Sequence, residues 1–179
     1  MKTNIEIEFK TAITEAVYNK IIEKFALHNT IFKQTNHYFD TENNDLIKSK
    51  TILRIRQKEN QYKLTSKKHT EQGTLENHLY LTNDEAHNML ENGFDANKVN
   101  IDHHVKKVAE LTTYRAKTPY KGGILFFDKS IYYGNIDYEI EYEVTNEEEG
   151  LKIFKAFLNE NNIPFVKMIS KAKRAYNAK

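Results

Sequence analysis

Between Tyr138 and Val144, glutamate occupies every second position as Glu139, Glu141 and Glu143, and Tyr138, Ile140, Tyr142 and Val144 fill the places between. A period of two separates into two faces in an extended strand, where successive side chains point to opposite sides. The same arithmetic recurs along the chain. Glu6, Glu8 and Lys10 alternate with Ile5, Ile7 and Phe9, and Arg54 and Arg56 with Leu53 and Ile55. Lys63, Thr65 and Lys67 alternate with Tyr62 and Leu64, and Arg115 and Lys117 keep the rule. A sheet with one face in water also alternates polar with apolar, but its charges usually mix in sign. Here they are largely sorted by sign within each strand, and glutamates spaced roughly 7 Å apart on one face repel one another.

The rest of the chain supplies helices to accompany these strands. A strand over 4–11 leads to a helix that Thr14 caps and that runs to about Leu27, with Val17, Ile21, Ile22 and Phe25 as its buried stripe. A second strand is expected over 31–40, then a polar, turn-rich stretch over 41–50 and a hairpin of 51–58 and 61–68 about Glu59 and Asn60. Residues 74–82 read as a strand, and Thr82 with Glu85 forms a capping box for a short helix to about Asn92. A helix is expected across 98–110, then strands over 111–119, 123–128, 130–133 and 136–145, with Gly122, Gly123 and Gly134 at the turns. Residues 147–161 form an amphipathic helix with Leu151, Phe154, Phe157 and Leu158 inward, and a last helix begins at Ser170.

Apolar helix stripes need a surface to cover, and the apolar faces of the strands supply one if the sheet curls with its charges inward. The expected fold is α+β: an eight-stranded antiparallel β-barrel, or tunnel, with helices packed outside. A barrel of that size encloses one small ligand, and like charges facing its bore stay ionised only when water, metal or ligand compensates them. The 179 residues, 39% hydrophobic and without an obvious linker, fit a single domain over 1–179. Absence of cysteine removes disulfides, thiolate metal sites and cysteine nucleophiles, so a metal must be held by carboxylate or imidazole, which favours Mg²⁺ or Mn²⁺. No apolar run approaches the roughly 18 residues that cross a bilayer, and the opening Met-Lys-Thr-Asn-Ile-Glu lacks a signal-peptide stretch. A cytoplasmic protein with no membrane partner is expected. The 27 basic and 25 acidic residues nearly cancel, so partners depend on where the charges fall. A pI near 8.5 with an enclosed basic face gives no broad footprint for nucleic acid.

The motifs come in an order that resembles the CYTH superfamily, the triphosphate tunnel metalloenzymes. Glu6-Ile7-Glu8-Phe9-Lys10 is similar to its ExExK signature, His37 to Thr41 to its Y-F/Y-D-T segment, Leu53 to Arg56 to its LR-R strand and Lys63 to Lys67 to its K-LT-K strand. Thr113 to Lys117, Phe127 to Lys129, Glu139 to Glu143 and Lys171 to Arg174 extend the likeness through the compact single-domain bacterial branch. One departure is Leu75, apolar on the strand after K-LT-K, which leaves Glu76 and His78 as the inward residues there.

The resemblance implies a tunnel that binds a triphosphate with one or two divalent ions. Glu6 and Glu8, with Glu139 and Glu141 opposite, are the expected metal ligands; Glu143 orients the attacking water or holds a second ion. Arg54, Arg56, Lys63, Lys67, Glu76, Arg115, Lys117, Lys171 and Arg174 are expected at the substrate, and Lys10 either binds phosphate or neutralises its neighbouring glutamates. Asp128 and Lys129 fall on opposite faces of a regular strand, so Lys129 joins that set only through a bulge. His103 and His104 are expected at the surface, and Tyr132 and Tyr133 in wall packing. The activity implied is hydrolysis of inorganic tripolyphosphate or an organic triphosphate such as thiamine triphosphate. A class IV-like adenylyl cyclase and a non-catalytic nucleotide- or polyphosphate-binding module are the alternatives. A homodimer is allowed.

Overall fold

A computed structural model describes residues 2–71 and 73–179. The alternating segments become strands, in the order β1 (Lys2–Ile13), α1 (Glu15–Lys24), β2 (Phe32–Asp40), α2 (Asp45–Lys48), β3 (Thr51–Lys58), β4 (Gln61–Thr70), β5 (Gly73–Leu81), α3 (Asn83–Asn92), β6 (Phe94–Asp95), β7 (His104–Tyr120), β8 (Gly123–Tyr132), β9 (Asn135–Val144), α4 (Glu147–Glu160) and α5 (Lys171–Asn177). Hydrogen bonding runs β2-β3-β4-β5-β1-β9-β8-β7, and β7 also pairs with β2, which closes an eight-stranded antiparallel barrel; β6 is a short addition to β7. Among the described residues no helix is long and apolar enough to cross a membrane. The chain falls into two compact units, one of Met1–Ile5, Gln34–Thr112 and Ser170–Lys179, the other of Glu6–Lys33 and Thr113–Ile169.

In the first unit, Leu53, Ile55, Leu64 and Leu81 share a core with Ala86 and Met89 of α3, Phe94 and Val99. Each such fully buried aliphatic side chain contributes about 1.5–3 kcal/mol of transfer free energy. α3 begins with the capping box: Thr82 Oγ1 accepts from the Glu85 N–H at 3.3 Å and Glu85 Oε2 from the Thr82 N–H at 3.0 Å, which satisfies two donors the helix cannot. Because this core takes Leu53 and Leu64, strand pleating sends Arg54, Arg56, Lys63, Thr65 and Lys67 to the other face.

In the second unit, α1 and α4 cover Leu125 and Phe127 of β8 and Ile140 and Tyr142 of β9 through Tyr18, Ile21, Ile22, Phe154, Phe157 and Leu158. α4 approaches β9 so closely that a Cβ at Gly150 would lie 2.6 Å from the Val144 side chain. The segment after α4 is tied to β1: Thr11 Oγ1 accepts from the Val166 N–H at 2.8 Å, and Ala12 donates to the Val166 carbonyl at 3.1 Å. Here too the helices claim one strand parity, and Asp128, Glu139, Glu141 and Glu143 occupy the other.

Several expected elements differ. No helix spans 98–110; Ala96–Val99 makes a 3-10 turn and β7 already begins at His104. Val105, Ala109, Leu111 and Thr113 are buried at strand spacing, a signal diluted in the sequence by Lys106-Lys107 and by helix-favouring Ala109 and Glu110. The two strands expected over 123–128 and 130–133 form one, Gly123–Tyr132, and Leu151 is 37% exposed rather than inward. Tyr133 sits in the turn before β9 with φ 44° and is largely exposed, whereas Tyr132 is buried and donates to Asp137.

The polar stretch 41–50 contains α2, and Asp40 explains it. Its buried carboxylate accepts from the backbone N–H groups of Thr41 at 2.8 Å, Leu46 at 2.9 Å and Ile47 at 3.1 Å. Thr41 Oγ1 donates to Asp45 Oδ2 at 2.6 Å and accepts from the Asp45 N–H at 3.1 Å. The Asp-Thr pair is thus a cap for a single helical turn. Asp40→Ala is expected to lower the urea midpoint by an amount equivalent to about 3 kcal/mol, with Asp40→Asn losing less, since hydrogen bonds to a charged group contribute ~1.5–3 kcal/mol.

Candidate active site

The polar face of the second unit is built on cross-strand register. β8 and β9 set Asp128 opposite Glu139 and Phe126 opposite Glu141, while β1 and β9 set Lys10 opposite Glu141 and Glu8 opposite Glu143. Asp128, Glu139 and Glu141 are all buried, and each offers a carboxylate oxygen within 4.8 Å of the others. Arg115 braces them. Its Nε donates to Asp128 Oδ1 at 2.7 Å, and its Nη2 to Asp128 Oδ2 at 2.6 Å and to Glu141 Oε2 at 2.5 Å. The guanidinium also lies 4.4 Å from the centre of the Phe126 ring. Burial works against the charge on Arg115, but Asp128 and Glu141 override it and raise its pKa well above the usual arginine range. Lys10 Nζ donates to Glu8 Oε1 at 3.0 Å.

Three carboxylates this close suit a hard divalent cation. Bonds of about 2.0–2.1 Å place opposite oxygens of an octahedron about 4.2 Å apart, and an all-oxygen set matches Mg²⁺ or Mn²⁺. The bidentate arginine fixes Asp128 and Glu141 in orientation, as outer partners of metal ligands do.

The polar face of the first unit has the opposite sign. Arg54, Lys63 and Lys67 act on the buried Glu76, and Arg56 acts on Lys63. Glu76 Oε1 lies 3.4 Å from Lys63 Nζ and 3.2 Å from His78 Nδ1, and Oε2 lies 3.2 Å from Lys67 Nζ. Burial would raise the pKa of Glu76, but Lys67, Arg54 and Lys63 override it and hold it at about 2. Lys63 is lowered by burial and by Arg54 and Arg56, against the pull of Glu76. Arg56 Nε donates to Asn36 Oδ1 at 2.9 Å. α5 brings Lys171 and Arg174 into buried positions, and Tyr176 meets the Tyr38 ring at 6.1 Å. Such a set offers planar forks and point charges to phosphoryl oxygens.

The structure therefore redistributes the expected roles. Glu139 and Glu141 do come together, and with them Asp128, whose strand parity is opposite to that of Lys129 and which was not among the expected ligands. Glu8 is registered against Glu143, and Glu6 lies beyond the paired stretch of β1 and β9. Lys129 is on the helix-covered parity with Phe127, its Nζ 5.7 Å from the centre of the Tyr138 ring, so no bulge brings it to Asp128. Arg115, expected at the substrate, donates to the Asp128 and Glu141 carboxylates. Lys117 follows Arg115 on the same parity and is exposed, whereas Lys171 and Arg174 are buried rather than exposed helix charges. His103 and His104 are exposed, and His104 Nδ1 bonds Asp95 at 2.8 Å.

A family model described as the CYTH domain matches residues 4–176. YjbK of Bacillus subtilis (strain 168), provisionally named a triphosphatase, is 34% identical over 186 residues, covering 100% of this chain and 98% of YjbK. A Bacillus halodurans crystal structure, provisionally named an adenylate cyclase, is 33% identical with a TM-score of 0.90, covering 97% of this chain and 98% of that one. HpAC1 from Hippeastrum shares the fold at 21% identity and a TM-score of 0.76, covering 97% and 96% of the two chains.

Glu76 has a pH signature. Its folded-state pKa lies below the unfolded value of about 4.3, so the stabilisation is present above that value and lost as pH falls towards 2. A shift from 4.5 to about 2 corresponds to about 3 kcal/mol. Urea midpoints measured from pH 6 to pH 2 should fall less steeply for Glu76→Gln than for the unsubstituted chain; parallel curves would contradict the ion-pair geometry.

Proposed function

We propose, from the premise that this chain belongs to the CYTH family, that it is a divalent-metal-dependent triphosphatase acting on inorganic tripolyphosphate or an organic triphosphate. The observation that carries the reading is the buried carboxylate trio Asp128, Glu139 and Glu141, whose oxygens lie close enough to share one divalent ion; the first unit by itself carries strand cations suited to phosphoryl oxygens. The name carried by YjbK, a relative similar over its whole length, favours hydrolysis.

In this reading Arg54, Arg56, Lys63 and Lys67 bind phosphoryl oxygens, with Lys171 and Arg174 of α5 adding charge. Glu76 holds the two lysines in place when no substrate is present. Asp128, Glu139 and Glu141 would hold Mg²⁺ or Mn²⁺, and Arg115 keeps two of those carboxylates oriented. A bound divalent ion supplies charge neutralisation between phosphoryl groups, which loosens the terminal one. Glu143, registered against Glu8, orients a water whose oxygen attacks the terminal phosphorus in line. The bond from that phosphorus to the bridging oxygen breaks, the diphosphate leaves with the bridging oxygen, the terminal phosphoryl group takes up the water oxygen to become orthophosphate, and the water proton passes to the Glu143 carboxylate. Most of the rate then comes from positioning and electrostatics.

The cyclase reading is raised by the name of the Bacillus halodurans protein. It uses the same charges but needs a ribose hydroxyl of ATP as nucleophile and yields cyclic AMP and pyrophosphate. A binding module would take up the ligand without turnover. Incubation with tripolyphosphate, thiamine triphosphate and ATP, each with Mg²⁺ or Mn²⁺, separates the three once the products are resolved by chromatography. The expected result is orthophosphate release that EDTA abolishes and that Glu139→Gln lowers at least about a hundredfold in kcat. Cyclic AMP from ATP, or binding with no product, would overturn the hydrolase reading.

A further inference from the structure

The basic face contains one group that is not a permanent cation. His78 stands directly opposite Thr65, and Thr65 directly opposite Arg54, so β3, β4 and β5 place the three in a single cross-strand row. Side chains so paired have Cβ atoms about 4.5–5.5 Å apart. Arg54 Nε, Thr65 Oγ1 and His78 Nδ1 are buried and make no hydrogen bond among the described residues. His78 Nδ1 lies 3.2 Å from Glu76 Oε1, an ion-pair distance. The His78 side chain is 15% exposed, and Nε2 is not among the buried atoms that lack a partner. A row of polar atoms that the protein itself does not satisfy costs stability unless something else satisfies it.

We propose that His78 is a further substrate-contacting residue, donating from Nε2 to a phosphoryl oxygen of the triphosphate, and that it gains a proton as the polyanion binds. The inference rests on the triphosphate reading and extends it to a residue outside the matched motifs. The negative potential of Glu76 3.2 Å from Nδ1 favours the neutral tautomer with its hydrogen at Nδ1, which leaves the lone pair at Nε2. A phosphoryl oxygen is an acceptor, so contact at Nε2 requires the imidazolium. The charged groups of this face are Lys63 and Lys67 of β4, Arg54 and Arg56 of β3, Glu76 of β5, the strand of His78 itself, and Lys2 of β1. Burial, Lys63 and Lys2 hold the free imidazole below its ordinary pKa against the pull of Glu76. A bound polyanion reverses that balance.

The test is calorimetric titration with an imido analogue of tripolyphosphate and Mg²⁺ at pH 7.5, in two buffers of different ionisation enthalpy, which counts protons taken up on binding. The unsubstituted protein should take up a substantial fraction of a proton. His78→Gln, which keeps a donor near the Nε2 position but cannot titrate, should bind within about threefold and lose that uptake. His78→Leu should bind at least about tenfold more weakly, the loss of a hydrogen bond to a charged group. Equal proton counts for the unsubstituted protein and His78→Gln, or unweakened binding by His78→Leu, would overturn the inference and leave the triphosphate reading standing. No binding by the unsubstituted protein would remove both.

Discussion

Every barrel strand has two faces, and hydrophobic burial commits one of them before any chemistry is decided. Leu53, Ile55 and Leu64 in one unit, and Leu125, Phe127, Ile140 and Tyr142 in the other, are fully buried or nearly so beneath helices. Moving any of these strands by one residue would exchange that entire apolar set for charges. The register is therefore held by the core, and the positions of Arg54, Arg56, Asp128, Glu139 and Glu141 follow from it. Function here depends on packing that no ligand touches.

Within each polar face a residue of opposite sign binds its charged neighbours. Arg115 grips Asp128 and Glu141 by three hydrogen bonds, and Glu76 lies between Lys63 and Lys67. Buried like charges would otherwise shift their pKa values and neutralise. The counter-charge keeps each set ionised and oriented, while cancelling only part of its field. Arrangements of this kind bind a polyion readily because the ordering cost is met during folding rather than on binding.

Much of this was legible from alternation alone. The hairpin about Glu59 and Asn60, the capping box at Thr82, and the parity of Glu139, Glu141 and Glu143 are local patterns, set within a few residues. What was not legible depends on register between strands distant in sequence. Glu8 and Glu6 share a face with each other, but nothing in one strand says that Glu143 rather than Glu139 stands opposite Glu8. Asp128 was weighed against Lys129 on parity, and only its contact with Arg115, thirteen residues upstream, decides between them. The missed start of β7 has a different origin: two adjacent lysines interrupt the period of two, and local helix propensity outweighed it. Asp40 hid in a motif, since a carboxylate that caps a helical turn looks in sequence like one that could bind an ion.

The central claim is that the trio Asp128, Glu139 and Glu141 is where the divalent ion binds. Anomalous diffraction from crystals grown with Mn²⁺ and a non-hydrolysable triphosphate tests it most directly. The account predicts a manganese peak bonded to oxygens of those three residues; a peak held by Glu6 and Glu8 without any of them, or no peak at all with the triphosphate bound, would contradict it.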